Sequence, residues 1–434
     1  MMRAMQNGPT YPAPASVRDD VRTISMIGLV HGTSHFFHLL LPPMFPWFVR
    51  EYALTYTQLG FVVATFFVIS GIGQALSGFL VDRVGARPVL FAALGCFAVA
   101  ALTAAFANGY MGLLLASGLA GLGNSPFHPI DFSILNRRVS PERLGHAYSM
   151  HGLSGNLGWA LSPLVSGGLL ATTGSLRLTY LLMALWPVLV IAAAVRWRDA
   201  LDDGVMSQKA DAPKTAAQSS EDKPHRHAEV LSLPLRGLLT QPAIWWCFAF
   251  LFWSTCAMSA VQGFASSALR AMYGLALEQA AWVVPGYMTC GAIGMLLGGV
   301  LMSRARRAEW LIAASLCGAA LLLLWVSLGG IDGVSALMWA SVAGLGTGLA
   351  GPSRDMLIKQ ATPPGATGRV YGLVYSGLDV GFAVSAPVFG RLMDGGVASA
   401  VFAGAAMALC LAVVSSSLVA RSSRRAPQPS WVSP

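Results

Sequence analysis

The sequence predicts an all-α integral membrane protein of twelve transmembrane helices, built as two parallel six-helix repeats. Three observations predict it. Hydrophobic residues make up 55% of the 434 residues, charged residues only 11%, and mean hydropathy is +0.60. An ordinary soluble domain is about 25% charged, so a soluble enzyme, a disordered chain and a secreted disulfide scaffold are all excluded. Apolar stretches near the ~20 residues that a bilayer requires recur twelve times, and two blocks of the first six align with blocks of the last six.

Residues 1–22 are polar and contain Pro9, Pro12 and Pro14. They lack a charged segment leading into an apolar one with a cleavage site, so no signal peptide is assigned and a disordered cytoplasmic tail is expected. The first bundle, 23–196, holds spans 1 to 6 at 25–49, 58–81, 88–107, 110–131, 145–172 and 178–196. Pro42, Pro43 and Pro46 should break or kink the outer end of span 1, either as a mobile gate or as a plain helix end. Residues 197–242 are polar, with Lys209, Lys214, Glu221, Asp222, Lys223 and the run His225-Arg226-His227. They read as a flexible cytoplasmic linker. The second bundle, 243–420, holds spans 7 to 12 at 243–269, 280–302, 309–329, 334–357, 369–390 and 398–420, before a tail at 421–434.

Net charge is +9. With the N-terminus inside, only Arg50, Arg177, Arg270 and Arg391 of the 28 Lys and Arg fall near outer ends. The positive-inside rule then places both termini in the cytoplasm. The basic balance belongs to loops facing the cell interior, and no nucleic-acid partner is inferred. Cys96, Cys247, Cys256, Cys290, Cys317 and Cys410 lie in apolar stretches without a C-x-x-C pair, so they are read as packing residues.

Residues 58–83 align with 279–304 at a constant offset, with nine of 26 positions identical, among them Gln58/Gln279, Gly73/Gly294, Gly78/Gly299 and Arg83/Arg304. A second block pairs Gly121-Leu122-Gly123 with Gly344-Leu345-Gly346 and Pro129 with Pro352. An even number of spans per half makes the repeats parallel, an architecture of transporters that rock two bundles around a central site.

The loop after span 2, Gly78-Phe-Leu-Val-Asp82-Arg83-Val-Gly85-Ala-Arg87, resembles the G-x-x-x-D-R-x-G-x-R loop of the major facilitator superfamily. The resemblance covers essentially the whole chain and implies that fold and a cytoplasmic gate at Gly78, Asp82, Arg83 and Arg87. The second half keeps Gly299 and Arg304 but has Ser303 in place of the acid. Gly158-x-x-x-Ser162-Pro163-x-x-Ser166-Gly167 in span 5 is similar to the G-x-x-x-G-P-x-x-G-G motif of drug/proton antiporters, with serine twice replacing glycine. Span 4 departs from that branch: Ser117 stands where those antiporters carry a membrane-embedded arginine. His31-Gly-Thr-Ser-His35, Leu41-Pro42-Pro43 and Gly121-Leu-Gly-Asn-Ser-Pro126-Phe127-His128-Pro129 resemble the fosmidomycin-resistance-type branch, which implies export of small anionic or amphiphilic antibiotics.

Ionisable groups at bilayer depth are costly, so each is a functional candidate. His31, His35 and His38 in span 1 share one ~60° sector of a helix, with His35 ~16 Å along from Ile24. They serve either proton or anion handling or packing through hydrogen bonds to neighbouring helices. No metal site is assigned, because no Asp, Glu or Cys lies near them in sequence. His128 and Asp131 mark the inner end of span 4, and Arg354 and Asp355 the inner end of span 10. Asp131 and Arg354 are repeat equivalents, expected either to pair across the cytoplasmic mouth or to be solvated separately. Asp379 in span 11, equivalent to Asn156, is either the proton carrier or a polar anchor. Gln74, Asn124 and Gln262 can hydrogen-bond substrate or hold helices together, and Trp245, Trp246 and Trp253 read as belt or core.

The expected function is secondary active transport in a bacterial inner membrane: proton-coupled export of a small organic molecule by alternating access, as a monomer. No G-x-x-x-x-G-K-[ST] pattern suggests ATP as the driver, and no cofactor is expected beyond a proton gradient. Two alternatives remain open: uptake of an organic anion, and a membrane sensor that binds ligand without moving it. No nucleophile–base pair argues for an enzyme.

Overall fold

The computed structural model describes residues 16–201, 240–304, 307–362 and 367–425. The assigned linker and both assigned tails therefore lie largely outside the described residues. Every described regular element is helical, as a bilayer requires of a chain that must satisfy its own backbone groups.

Local chemistry sets the helix ends. Span 1 starts earlier than expected, at Val17, because the Ser16 hydroxyl accepts the Asp19 N–H at 3.2 Å and caps the helix. Asp20, assigned to the tail, is fully buried. It accepts from Arg143 Nη1 at 2.5 Å and from the Ser140 hydroxyl, tying span 1 to the connection between spans 4 and 5. The helix Val17–His38 stops before Pro42 and Pro43, turns through Pro42–Met44 and resumes as Phe45–Tyr52, which is the proline break that was expected. Span 2, Tyr56–Val84, opens on a capping box. Gln58 N–H donates to the Thr55 hydroxyl at 3.1 Å, and Thr55 N–H to Gln58 Oε1 at 2.9 Å. Span 3 is Ala86–Ala105.

Span 4 is not one helix. Pro126 ends Tyr110–Asn124, and a second helix, Phe127–Arg138, restarts with Pro129 in its first turn. Span 10, Gly333–Ala361, has Pro352 alone and stays continuous. The remaining spans are Leu144–Thr173 (5), Leu176–Arg196 (6), Pro242–Tyr273 (7), Leu277–Ala280 with Val283–Arg304 (8), Ala308–Ser327 (9), Thr367–Asp394 (11) and Ser399–Arg425 (12). A short turn, Arg198–Leu201, extends the first bundle into the assigned linker and buries Leu201. Among the described residues ten of these segments are long and apolar enough to cross a membrane. The two below that threshold, spans 4 and 5, are the ones that carry His128, Asp131 and His151.

The halves pack alike. Span 1 lies on span 5 and span 7 on span 11; span 2 lies on span 4 and span 8 on span 10; span 3 lies on span 6 and span 9 on span 12. A Cβ at Gly121 would stand 2.4 Å from the Phe66 carbonyl oxygen, and one at the equivalent Gly344 would stand 2.0 Å from that of Tyr287. Only glycine allows that backbone contact, so the internal repeat is also a repeat of helix crossings. Among the described residues two main seams join the halves, span 2 with span 11 and span 5 with span 8, and the outer end of span 1 also meets span 7, where the Phe45 and Phe264 rings lie 5.9 Å apart. At the end of the first seam away from the termini, the Asp394 carboxylate accepts from Tyr56 N–H and Thr57 N–H, each at 2.8 Å, and from the Thr57 hydroxyl at 2.5 Å.

Candidate functional site

The polar residues of the first bundle converge where spans 1, 4 and 5 meet. Span 5 approaches span 1 closely because it is glycine at the contact: a Cβ at Gly158 would stand 2.2 Å from the Gly32 carbonyl oxygen. One turn away, a Cβ at Gly155 would stand 2.8 Å from the His35 ring and 3.2 Å from His31 Nε2. The glycines therefore leave the space that the imidazoles fill. The small-residue reading of the span 5 motif also extends to Ser162, whose hydroxyl donates to the Leu39 carbonyl at 2.9 Å.

Within that space the rings of His31, His35 and His38 follow one another, with centroids 4.5 Å and 4.7 Å apart, as the helical sector predicted. Their roles differ. His38 is held on both nitrogens: Trp159 Nε1–H donates to Nδ1 at 3.3 Å, and Nε2 pairs with Asn124 Oδ1 at 2.9 Å. Indole N–H is a donor only, so Nδ1 accepts and Nε2 carries the proton. Asn124 also accepts from the Ser34 hydroxyl at 2.5 Å and donates to Ser70 Oγ at 2.8 Å. His38 and Asn124 thus fasten spans 1, 2, 4 and 5 together, the packing alternative. His35 differs: its Nδ1 is buried without a hydrogen-bond partner, and its ring lies 4.2 Å from that of Trp159.

His31 belongs to a third arrangement, which sequence reasoning missed. Its Nδ1 lies 2.9 Å from Asp131 Oδ2, and His151 Nε2 lies 3.1 Å from the same oxygen. The two imidazoles stack at 3.5 Å. Side-chain exposure is 3% for His31, 8% for His151 and 0% for Asp131. His128 stands beside them, its ring 5.6 Å from that of His31 and its Nδ1 2.9 Å from Gln74 Oε1. The absence of a nearby acid, which argued against a metal site, holds along the chain but not in space. His151 had a signal: it precedes Gly155 by four residues and Gly158 by seven, on the same helix face.

The gate residues are placed differently from one another. In this conformation Asp131 does not pair with Arg354. Asp131 is enclosed by His31 and His151, while Arg354 Nε donates to its neighbour Asp355 at 2.9 Å and Tyr375 donates to that carboxylate at 3.4 Å. The break at Pro126 frees the second half of span 4 to turn Asp131 into the bundle. Gly78 lies in the span 2 helix and Arg83 is exposed near its end, Arg87 is half-buried in the first turn of span 3, and the Asp82 side chain lies outside the described residues. Asp379 sits on the seam between spans 2 and 11, where a Cβ at Gly71 would stand 3.2 Å from its own Cβ. Its equivalent, Asn156, sits on the other seam and donates to Met295 Sδ at 3.4 Å. Ser117, at the antiporter arginine position, donates to the Val62 carbonyl at 2.5 Å and packs spans 2 and 4. A cavity of about 840 Å³ lies elsewhere, at the end away from the termini, among Trp47, Arg50, Arg177, Glu278 and Trp282.

Two bundles of six helices, a close-packed internal repeat and a polar interior within apolar spans now stand beside a family match. The model described as Major Facilitator Superfamily matches residues 27–386, and again 251–433. The chain belongs to the major facilitator superfamily. It is therefore a multi-pass secondary transporter that carries a small-molecule substrate across a lipid bilayer, not an enzyme. Among its relatives, the fosmidomycin resistance protein of Escherichia coli (strain K12) is 27% identical over 403 residues, 91% of this chain and 92% of the relative. The uncharacterised MFS-type transporter YfnC of Bacillus subtilis (strain 168) is 25% identical over 378 residues, 85% of this chain and 86% of the relative. The crystal structure of a bacterial homolog of the human lysosomal transporter Spinster, inward-facing and unoccupied, superposes with a TM-score of 0.72 at 13% identity. It covers 94% of this chain and 98% of that one, a likeness of fold.

Proposed function

We propose that this superfamily member is a proton-coupled exporter of small organic molecules, working by alternating access in a bacterial inner membrane with both termini inside. The observation that carries the reading is His35. Among the histidines packed between spans 1, 4 and 5, where His31, His38, His128 and His151 each have a hydrogen-bond partner, it keeps a buried, unpartnered ring nitrogen beside the Trp159 face. Such a group is expensive at bilayer depth unless a ligand meets it. An imidazole beside an indole suits a small anionic or amphiphilic molecule, the chemistry that the likeness to the fosmidomycin resistance protein supports. Asp379 is the proton carrier in this reading: a half-buried carboxylate on the seam between the halves, where a change of charge alters how spans 2 and 11 fit.

The test is drug susceptibility of an efflux-deficient bacterial host across a panel that includes fosmidomycin. The wild type should protect at least about fourfold, and well-expressed His35→Ala should not. Asp379→Asn should lose the pH-gradient dependence of efflux from preloaded vesicles. Protection unchanged in His35→Ala would remove that residue from the mechanism. Net uptake of an organic anion into vesicles would reverse the direction.

A further inference from the structure

We propose that His31, Asp131 and His151 form a binding site for one divalent transition-metal cation of zinc-like ligand preference. Two imidazole nitrogens and a carboxylate oxygen are a donor set that Zn²⁺ and its first-row neighbours take. A tetrahedral ion with bonds of ~2.0–2.1 Å holds its donors ~3.3 Å apart. Here two donor–donor edges measure 2.9 Å and 3.1 Å, and all three ligand atoms lie within 4.8 Å of one another. Movements of a few tenths of an ångström on those two edges, with a rotation that splays the stacked His31 and His151 rings so that their in-plane lone pairs converge, would admit the ion.

The hydrogen bonding within the cluster is lopsided. Both imidazoles address Asp131 Oδ2, while Oδ1 of the same fully buried carboxylate has no partner. Hydrogen bonding alone leaves that oxygen unexplained. A cation accounts for both features: it draws two nitrogens and Oδ2 to one point, and its fourth ligand, a water, can donate to Oδ1. It also neutralises a fully buried carboxylate, a charge that is costly to hold away from water. A second trio, His31, His35 and His128, meets the same spacing criterion and shares His31. It leads from the site toward the half-buried His128, which gives the ion an approach. The site belongs to the first bundle alone: the positions equivalent to His31, Asp131 and His151 are Phe252, Arg354 and Val374.

Full-length protein, purified in detergent and stripped with chelator, is titrated with Zn²⁺ by calorimetry and with Co²⁺ by visible absorption. The wild type should take up one ion per chain and give the intense ligand-field band of four-coordinate Co²⁺. His151→Ala and Asp131→Asn should each weaken binding by about 100-fold or more, beyond the 10- to 100-fold that outer-shell partners are worth. His151→Gln retains an N–H toward Asp131 and should fold as the wild type by size-exclusion profile, yet bind as weakly as His151→Ala. The double change His225→Ala and His227→Ala should bind normally. No stoichiometric uptake by the wild type, binding unaffected by all three cluster substitutions, or binding lost with the linker histidines instead would each overturn the site. Binding is measured without transport, so its failure leaves the export reading standing, and a failure of export leaves the isotherm standing.

Discussion

Gly155 has no side chain, and the imidazoles of His31 and His35 occupy the volume that one would need. A methyl group there would sit 2.8 Å from the His35 ring. That ring is wedged between His31, His38 and Trp159, with centroids at 4.5, 4.7 and 4.2 Å, so it cannot give way cheaply. Gly155→Ala should therefore cost ~1–3 kcal/mol, the usual penalty of overpacking, and abolish drug protection by displacing His35. Gly95 in span 3 is the control, because nothing lies within 4 Å of its added Cβ. Gly95→Ala should be neutral or slightly stabilising, since alanine is the better helix former by up to ~1 kcal/mol. Thermal unfolding of the two purified variants decides the matter. If both behave alike, the space at Gly155 is not tightly held. At this scale the sequence made the candidates visible and put His35 near mid-membrane, but His35 and His38 share one helix sector, and it is their partners that separate a packing role from an unpartnered one.

Among the elements, the start of span 2 is held from the other half of the molecule. Its first N–H groups carry the positive end of the helix dipole, and the Asp394 carboxylate at the end of span 11 accepts two of them. About three turns further into the membrane, the rings of Phe67 and Phe382 stack at 4.0 Å across the same seam. The Asp394 contacts hold the halves together at the end away from the termini, and the aromatic stack holds them deeper along the seam. Asp394→Ala should loosen that closure. The reading is maleimide labelling of Ser259→Cys, in a background with the native cysteines replaced, since Ser259 lines the narrow gap with His38, Phe67 and Phe382. Labelling from that side should speed up about threefold or more; an unchanged rate would show that the apolar contacts close the seam alone. The proline break in span 1 was legible because Pro42 and Pro43 stand where a helix should continue. The break in span 4 was not, because a ~20-residue apolar window averages over Pro126.

For the whole molecule, the excess of Lys and Arg on one side fixes the expected orientation. Green fluorescent protein fused after Pro434 should fluoresce, and alkaline phosphatase at the same place should be inactive. The opposite pair of results would invert the assignment of inside and outside, and with it the direction proposed for export. The seams between the halves also follow the repeat: span 2 meets span 11 as span 8 meets span 5, and the equivalent residues Asp379 and Asn156 face one seam each. One of the pair can carry a charge and the other cannot, so the two seams are alike in shape but not in chemistry.

Membrane character, span number and the internal repeat are properties of the chain read in one dimension. Transfer free energies add along a segment, so 55% apolar content and runs of spanning length determine the all-helical fold whatever the tertiary contacts. The superfamily was legible for the same reason, in the consecutive loop from Gly78 to Arg87. The site was decided only in three dimensions. His31 and Asp131 are 100 residues apart, and His151 is a further 20 along. Their meeting depends on glycines that let span 5 close on span 1 and on a proline that lets span 4 turn inward. Helix crossings and rotations of that kind arise from packing between distant segments, and no local run of residues encodes them.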